Sequence, residues 1–149
     1  MPFVKVYIHF VWTTKNRIPF LETPEIRLQF WNHMRDNATK KDIFIDFING
    51  HAEHCHSLIS LGIDQTISKV MQLIKGESSF WINNQKLIRK KFEWQDDYFA
   101  TSVSESMLDR VRNYIKNQEE HHRHKTFQDE YRAFLKKYRV EYDERYVWD

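Results

Sequence analysis

A β-hairpin is predicted in the middle of the chain by residues 43–61, which read IFIDFINGHAEHCHSLISL. Its first strand has an apolar residue at every second position, namely Ile43, Ile45 and Phe47. This is the period of a strand that buries one face. Asn49-Gly50 is a turn pair, and a second strand follows from about His54 to Leu61.

The segments around this hairpin alternate between strand and helix. Apolar residues at every second position over 4–12 predict a strand before the hairpin. Thr23-Pro24-Glu25 predicts the start of a helix that continues to about Thr39, because threonine is a good cap, proline is tolerated in the first turn and an acid suits the helix dipole.

The second half of the chain is expected to add a further helix and strand, and then a last pair of helices. Asp64 or Thr66 can cap a helix whose apolar residues recur at helical spacing: Ile67, Val70, Met71 and Ile74. Gly76 is expected to interrupt this helix, while Phe80 and Trp81 indicate that it can resume. A strand over residues 98–103 and two helices follow.

The resulting order, β-α-β-β-α-β-α, predicts an α+β protein with a ferredoxin-like fold. In this arrangement a four-stranded antiparallel sheet has helices packed on it, here with a C-terminal helical extension. The 149 residues are predicted to form a single domain, 1–149, with about 126–149 as the extension.

Composition excludes several classes of protein. Cys55 is the only cysteine, so the chain forms neither an internal disulfide nor a cysteine-based zinc site. No apolar stretch approaches the roughly 18–20 residues that span a bilayer, and no signal-peptide pattern is found at the N-terminus. We therefore expect a cytoplasmic protein without a membrane partner.

Basic residues are concentrated in the middle of the chain, although the net charge is only +2. Between Lys69 and Lys91 the only acidic residue is Glu77. Such a segment suits either contact with DNA phosphates or an ordinary solvated surface. The candidate DNA contacts are Lys15, Arg17, Lys75, Lys86, Arg89, Lys90 and Lys91.

A pair of histidines on the second hairpin strand is the first candidate for chemistry. His54 and His56 are two residues apart, so they point to one side of the strand while Cys55 points to the other. Two neighbouring imidazoles can bind a divalent metal. The alternative is an incidental pair, because the chain contains eight histidines.

Tyr114 and Gln118 are the second candidate. Four residues apart on a helix, they lie on the same face. Val111 and Ile115 accompany Tyr114 on its side of the helix, so the alternative is a tyrosine that only packs in the core.

The other histidines have open interpretations. His9 either borders a metal site or packs within its strand, and His51 is either a neighbour of that site or a turn residue. His121, His122 and His124 suit a solvated helix end or contact with DNA phosphate.

Taken together and in this order, a His-x-His strand and a helical Tyr-x-x-x-Gln resemble the small single-tyrosine HUH transposases of insertion sequences. The resemblance extends over roughly residues 3–135. It includes four further stretches: VWTTKNR at 11–17, SKVMQLIKG at 68–76, YFATSVS at 98–104 and VRNYIKNQ at 111–118. Cys55 departs from the pattern, because a larger aliphatic residue is common at that position.

The resemblance implies an activity. Tyr114 would be the nucleophile that cleaves and rejoins single-stranded DNA through a 5′-phosphotyrosine intermediate. His54, His56 and Gln118 would hold a divalent metal, Mg²⁺ or Mn²⁺. The partners would be DNA hairpins and a second copy of the chain, whose tyrosine helix would complete the site in trans.

Three other functions remain open from the sequence. One is a domesticated relative, a REP-associated tyrosine transposase that acts on dispersed palindromes. Another is a non-catalytic module that binds hairpin DNA. The last is a metal-dependent hydrolase that uses the histidine pair and water.

Overall fold

The described part of the chain follows the predicted order of strands and helices. The computed structural model describes residues 2–118 and 126–137, apart from the side chain of Phe134. Its main elements are β1 (Val6–Thr13), α1 (Pro24–Lys40), β2 (Phe44–Gly50), β3 (His54–Leu61), α2 (Ile67–Gln85), β4 (Phe99–Val103), α3 (Leu108–Lys116) and α4 (Phe127–Lys137). A 3₁₀ turn at Lys15–Arg17 follows β1, and another at Glu105–Met107 precedes α3.

The four strands form one antiparallel sheet in the order β2-β3-β1-β4. The hairpin strands β2 and β3 are neighbours, while β1 is inserted between β3 and β4. This is the ferredoxin-like arrangement, so the predicted fold class is confirmed. In the central pair, Thr13 lies opposite His54 and Val6 lies opposite Leu61.

The main core lies between one face of the sheet and helices α1 and α2. Alternate residues of β1 point into it, and Trp12 and Phe10 are almost completely buried there. Phe30 of α1 and Met71 of α2 pack against this face. Cys55 of β3 also points into this core, as the strand period predicts.

The opposite face of the sheet is covered by the late helices. Leu108, Val111 and Ile115 of α3 pack against Leu58 of β3. In a separate cluster, Phe127 and Leu135 of α4 pack with residues of β1 and β4. The side of β3 that carries His54 and His56 is therefore enclosed by helices.

The helix starts follow the capping residues, with one correction to the interior of α2. Thr23 accepts a hydrogen bond from the Ile26 N–H, and Thr66 rather than Asp64 caps α2. The expected interruption at Gly76 is wrong, because α2 is continuous from Ile67 to Gln85. Packing of its apolar face onto the sheet outweighs the cost of one helical glycine, about 1 kcal/mol.

Gly50 is required where the hairpin closes. It is the last residue of β2, and the connection is formed by residues 51–53. A Cβ at this position would collide with the main-chain oxygen of His54 and lie 2.9 Å from the Cα of Cys55. The glycine therefore allows the two strands to approach each other closely beside the histidine pair.

None of the described helices is both long enough and apolar enough to cross a lipid bilayer.

Candidate metal and tyrosine site

His54 and His56 are fully buried beneath the late helices. Strand β3 directs both imidazoles to the same face, with ring centroids 5.1 Å apart. Two aromatic contacts border them: Phe127 of α4 lies 4.4 Å from the His54 ring, and Tyr114 lies 5.5 Å from the His56 ring. The predicted pair is thus covered by other side chains rather than open to solvent.

Each ring nitrogen of His54 lies close to a side-chain oxygen. Its Nδ1 lies 2.7 Å from a carboxylate oxygen of Glu53, and its Nε2 lies 2.9 Å from the amide oxygen of Gln118. The amide nitrogen of Gln118 donates to the main-chain oxygen of Tyr114, which turns the amide oxygen towards His54. The ionised carboxylate of Glu53 only accepts, so Nδ1 carries the hydrogen and Nε2 is the nitrogen that can bind a metal.

The ionised state of Glu53 follows from its neighbours. Burial opposes ionisation, but the imidazoles of His51 and His54 outweigh it and hold the pKa of Glu53 well below its usual value. His51 lies in the hairpin connection, with its Nδ1 3.9 Å from Glu53. It is therefore a turn residue that also neighbours the site.

The second imidazole, His56, bridges β1 and α4. Its Nδ1 lies 3.0 Å from Nε2 of His9, and its Nε2 lies 2.8 Å from a carboxylate oxygen of Glu130. Burial, reinforced by the adjacent His56, lowers the pKa of His9 well below its usual value. His9 is thus neutral and orients His56, so this strand histidine does border the site.

Tyr114 is half-buried, and its hydroxyl donates a hydrogen bond to Glu130. Two contacts fix the helix that carries it. The side-chain amide of Asn49 donates to the main-chain oxygens of Ile115 and Lys116, at 3.1 Å each. The guanidinium of Arg112 pairs with both carboxylate oxygens of Asp46, at 2.6 and 3.1 Å.

Sequence reasoning missed two acids of this site. Glu53 directly precedes His54, but the strand pattern does not reveal that its carboxylate turns back to the ring. Glu130 is buried on the same side of α4 as Phe127 and Leu135. A glutamate at such a position on an amphipathic helix is the pattern by which Glu130 could have been found.

The arrangement suits a divalent metal. His54, His56 and Glu130 each offer one ligand atom, and these atoms lie within 4.8 Å of one another. Neighbouring ligands in an octahedral site are about 3 Å apart when the metal–oxygen distances are near 2.1 Å, and the Gln118 oxygen lies 2.9 Å from His54 Nε2. Mixed imidazole and oxygen donors suit Mn²⁺ better than Mg²⁺.

Part of the predicted basic surface lies at the end of the sheet that carries His54. Lys15 and Arg17 follow β1 directly, and a bridge between Thr14 and Trp94 brings the segment after α2 alongside them. Four of the other predicted DNA contacts are exposed on that segment, namely Lys86, Arg89, Lys90 and Lys91.

Lys75 differs from these four because its ammonium is already engaged. It donates to the main-chain oxygens of Gln95 and Asp96. Burial lowers its pKa, against the attraction of Asp96 and Asp97. Contact of Lys75 with DNA stays a prediction, as do the roles of His121, His122 and His124, which lie outside the described residues.

Residues 3–118 match the model of a protein family described as IS200-like transposases. The chain belongs to this family. No curated protein sequence matches this IS200-like transposase. Because the family match ends at Gln118, helix α4 and its Glu130 lie beyond it.

Two solved structures share the fold of this transposase. One is a candidate transposase from Deinococcus radiodurans R1, with 23% identity and a TM-score of 0.63, covering 78% of this chain and 93% of its own. The other is a REP-associated tyrosine transposase bound to a REP hairpin, with 18% identity and a TM-score of 0.61, covering 82% of this chain and 72% of its own.

Proposed function

We propose that this transposase binds DNA hairpins and cleaves and rejoins single-stranded DNA through Tyr114. The observation that carries the proposal is the position of the Tyr114 ring, 5.5 Å from His56 in a buried cluster of imidazoles and acids. A tyrosine that only packed in the core would not need its hydroxyl beside such a cluster.

In the proposed reaction the Tyr114 oxygen attacks the phosphorus of a phosphodiester. A bond forms between this oxygen and the 5′-phosphate, the bond to the 3′-oxygen breaks, and the strand is released with a free 3′-hydroxyl. The number of phosphoester bonds is unchanged, so a 3′-hydroxyl of another strand can reverse the step without ATP.

His54, His56 and Gln118 would hold the divalent ion, Mg²⁺ or Mn²⁺. When bound, the ion supplies polarisation of the scissile phosphate and neutralises charge that develops on its oxygens. The residues of the chain do the rest: Glu53 and His9 fix the orientation of the two imidazoles, and Asn49 and Arg112 fix the helix that carries the nucleophile.

A hairpin substrate is supported by the structural similarity to a transposase bound to a REP hairpin. It is also supported by the basic residues at the His54 end of the sheet, all exposed except the half-buried Arg17, which suit contact with phosphates. This surface comprises Lys15, Arg17, Lys86, Arg89, Lys90 and Lys91.

The family resemblance further supports a homodimer in which each chain supplies the tyrosine for the other's histidines. A site within one chain is the alternative, and it is favoured by the short distance between Tyr114 and His56 in a single copy. In both arrangements we propose one domain, 1–149, with about 126–149 as an extension, acting on DNA in the cytoplasm.

A denaturing gel tests the proposal. Purified protein is incubated with Mn²⁺ and labelled single strands that carry hairpins from candidate element ends. We expect a covalent protein–DNA band and a product with a free 3′-hydroxyl. Hairpin binding without a band would indicate a non-catalytic module, and cleavage without a band would indicate a hydrolase that uses water.

The genomic neighbourhood distinguishes a mobile element from a domesticated relative. A mobile element would have short element ends that flank the gene. A domesticated relative, such as a REP-associated tyrosine transposase, would instead accompany dispersed palindromic repeats.

A further inference from the structure

One carboxylate contacts both halves of the proposed site. The Oε1 atom of Glu130 lies 2.8 Å from Nε2 of His56, and the same oxygen accepts the hydrogen bond from the Tyr114 hydroxyl. Glu130 is only 4% exposed. Glu130 thus links His56 of the histidine pair to the tyrosine.

Glu130 is unusual for the place that it occupies. Its helix packs on the sheet through Phe127 and Leu135, and Phe127 covers the His54 ring. A carboxylate in such surroundings is costly unless it is paired or binds a metal. An apolar residue would serve packing equally well, so the acid requires a role that packing does not provide.

The position of the carboxylate is suited to metal coordination. Its separation of 2.8 Å from His56 Nε2 is close to the spacing of two adjacent ligands in one coordination sphere, about 3 Å. A carboxylate can bind a metal and accept a hydrogen bond at the same time, since each oxygen has two lone pairs. Glu130 can therefore contact the ion and the tyrosine together.

We infer that Glu130 is a further ligand of the metal and that it holds the Tyr114 hydroxyl beside the ion. This inference rests on the proposed metal-dependent function and deepens it. The working site then extends past Gln118, where the family match ends, into helix α4. The C-terminal helix becomes part of the site rather than an accessory.

The ligand role is tested by titrating the full chain with Mn²⁺. Electron paramagnetic resonance measures the concentration of the free ion. Loss of residues that only orient metal ligands commonly lowers affinity about 10–100-fold, so Glu130→Gln should weaken Mn²⁺ binding at least about tenfold. Asp129→Asn is the matched control: it removes the same charge from the same helix at an exposed position, and it should bind Mn²⁺ like the wild type.

The position of the tyrosine is tested separately, with 3-fluorotyrosine at residue 114. Bound Mn²⁺ should broaden the ¹⁹F signal strongly in the wild type and clearly less in Glu130→Ala at saturating Mn²⁺. Melting curves of the metal-free proteins identify variants that do not fold. If Glu130→Ala does not fold, Glu130→Gln is used for both the Mn²⁺ titration and the ¹⁹F measurement, since it keeps the shape of the side chain.

The outcomes distinguish this inference from the proposed function. If Glu130→Gln binds Mn²⁺ as tightly as the wild type while His56→Ala binds weakly, Glu130 is not a ligand but the metal site stands. Tighter Mn²⁺ binding by Glu130→Gln overturns the inference as well, because Glu130 would then compete with the ion. If the wild type itself binds no Mn²⁺, both the inference and the metal-dependent function fail.

Discussion

The amide oxygen of Gln118 lies 2.9 Å from Nε2 of His54, although the two residues are 64 positions apart in the chain. One belongs to the hairpin and the other follows helix α3, so this contact joins the two motifs that the sequence offers separately. The same nitrogen is the one that Glu53 leaves available for a metal. This contact places the helix that carries Tyr114 beside the histidine pair, and the predictions about the metal and the nucleophile depend on it.

Replacement of either histidine should abolish metal-dependent adduct formation. His54→Ala or His56→Ala removes one of two imidazoles on the same face of β3, so Mn²⁺ binding should become weak and the covalent band should disappear. EDTA should have the same effect, and added Mn²⁺ should reverse it. His33→Ala serves as a control, because His33 pairs with Glu77 on the other side of the sheet. Adduct formation that persists in EDTA would contradict the metal hypothesis.

Tyr114→Phe should abolish cleavage and the covalent band while hairpin binding stays near the wild-type level. Phenylalanine keeps the packing of α3 and removes only the nucleophilic oxygen. Tyr7→Phe is the matched control, since Tyr7 packs in the same apolar cluster and should leave the band unchanged. Cleavage by purified Tyr114→Phe would favour the hydrolase that uses water.

Neutralising the basic segment should weaken DNA binding most at low salt. With Lys86, Arg89, Lys90 and Lys91 changed to Gln, fewer counterions are released, and the slope of log affinity against log salt should fall by roughly 0.7 for each lost contact with a single strand. Titrations at several salt concentrations measure this slope. Equal slopes for variant and wild type would indicate that the segment is an ordinary solvated surface without DNA contacts.

A second set of four lysines controls for net charge in that experiment. Lys5, Lys40, Lys41 and Lys69 lie near the Leu61 end of the sheet, away from His54. Changing them to Gln removes the same charge and should leave the salt slope close to that of the wild type.

Gly50→Ala should destabilise the protein, whereas Gly76→Ala should not. A Cβ at residue 50 collides with the main chain of His54, while a Cβ at residue 76 has no neighbour within 4 Å among the described residues. We expect Gly50→Ala to lower the free energy of unfolding by roughly 1–3 kcal/mol and to weaken Mn²⁺ binding. Gly76→Ala should raise it by about 0.5–1 kcal/mol. Denaturant titration measures both changes, and equal stability of the two variants would refute the close approach at Gly50.

Mixing two inactive variants should reveal whether the site is shared between chains. One variant has both His54 and His56 changed to Ala, and the other carries Tyr114→Phe. In a trans dimer, one site of the heterodimer has intact histidines and an intact tyrosine, so cleavage should return. The covalent band should form only on the histidine variant, which a size tag identifies. Verified heterodimers without cleavage would instead support a site within one chain.

Local patterns were enough to predict the fold and the shared orientation of His54 and His56. Alternation in β1, β2 and β3 and helical spacing in α2 specify which residues are buried, because each element must turn an apolar face to the core. The same period places His54 and His56 on one face and Cys55 on the other. Gly76 is the exception: its local preference was overruled by packing along the whole of α2.

Only the tertiary structure decided that Glu53 and Glu130 meet the histidines. Glu130 reaches His56 because α4 folds over the sheet, and a contact between distant residues leaves no periodic trace in the sequence. Gln118 was expected beside His54 from the family resemblance and not from any local pattern. The engagement of Lys75 by two main-chain oxygens is hidden for the same reason. Periodicity reports which face of an element is buried, whereas the partner that it meets is set by how the elements pack together.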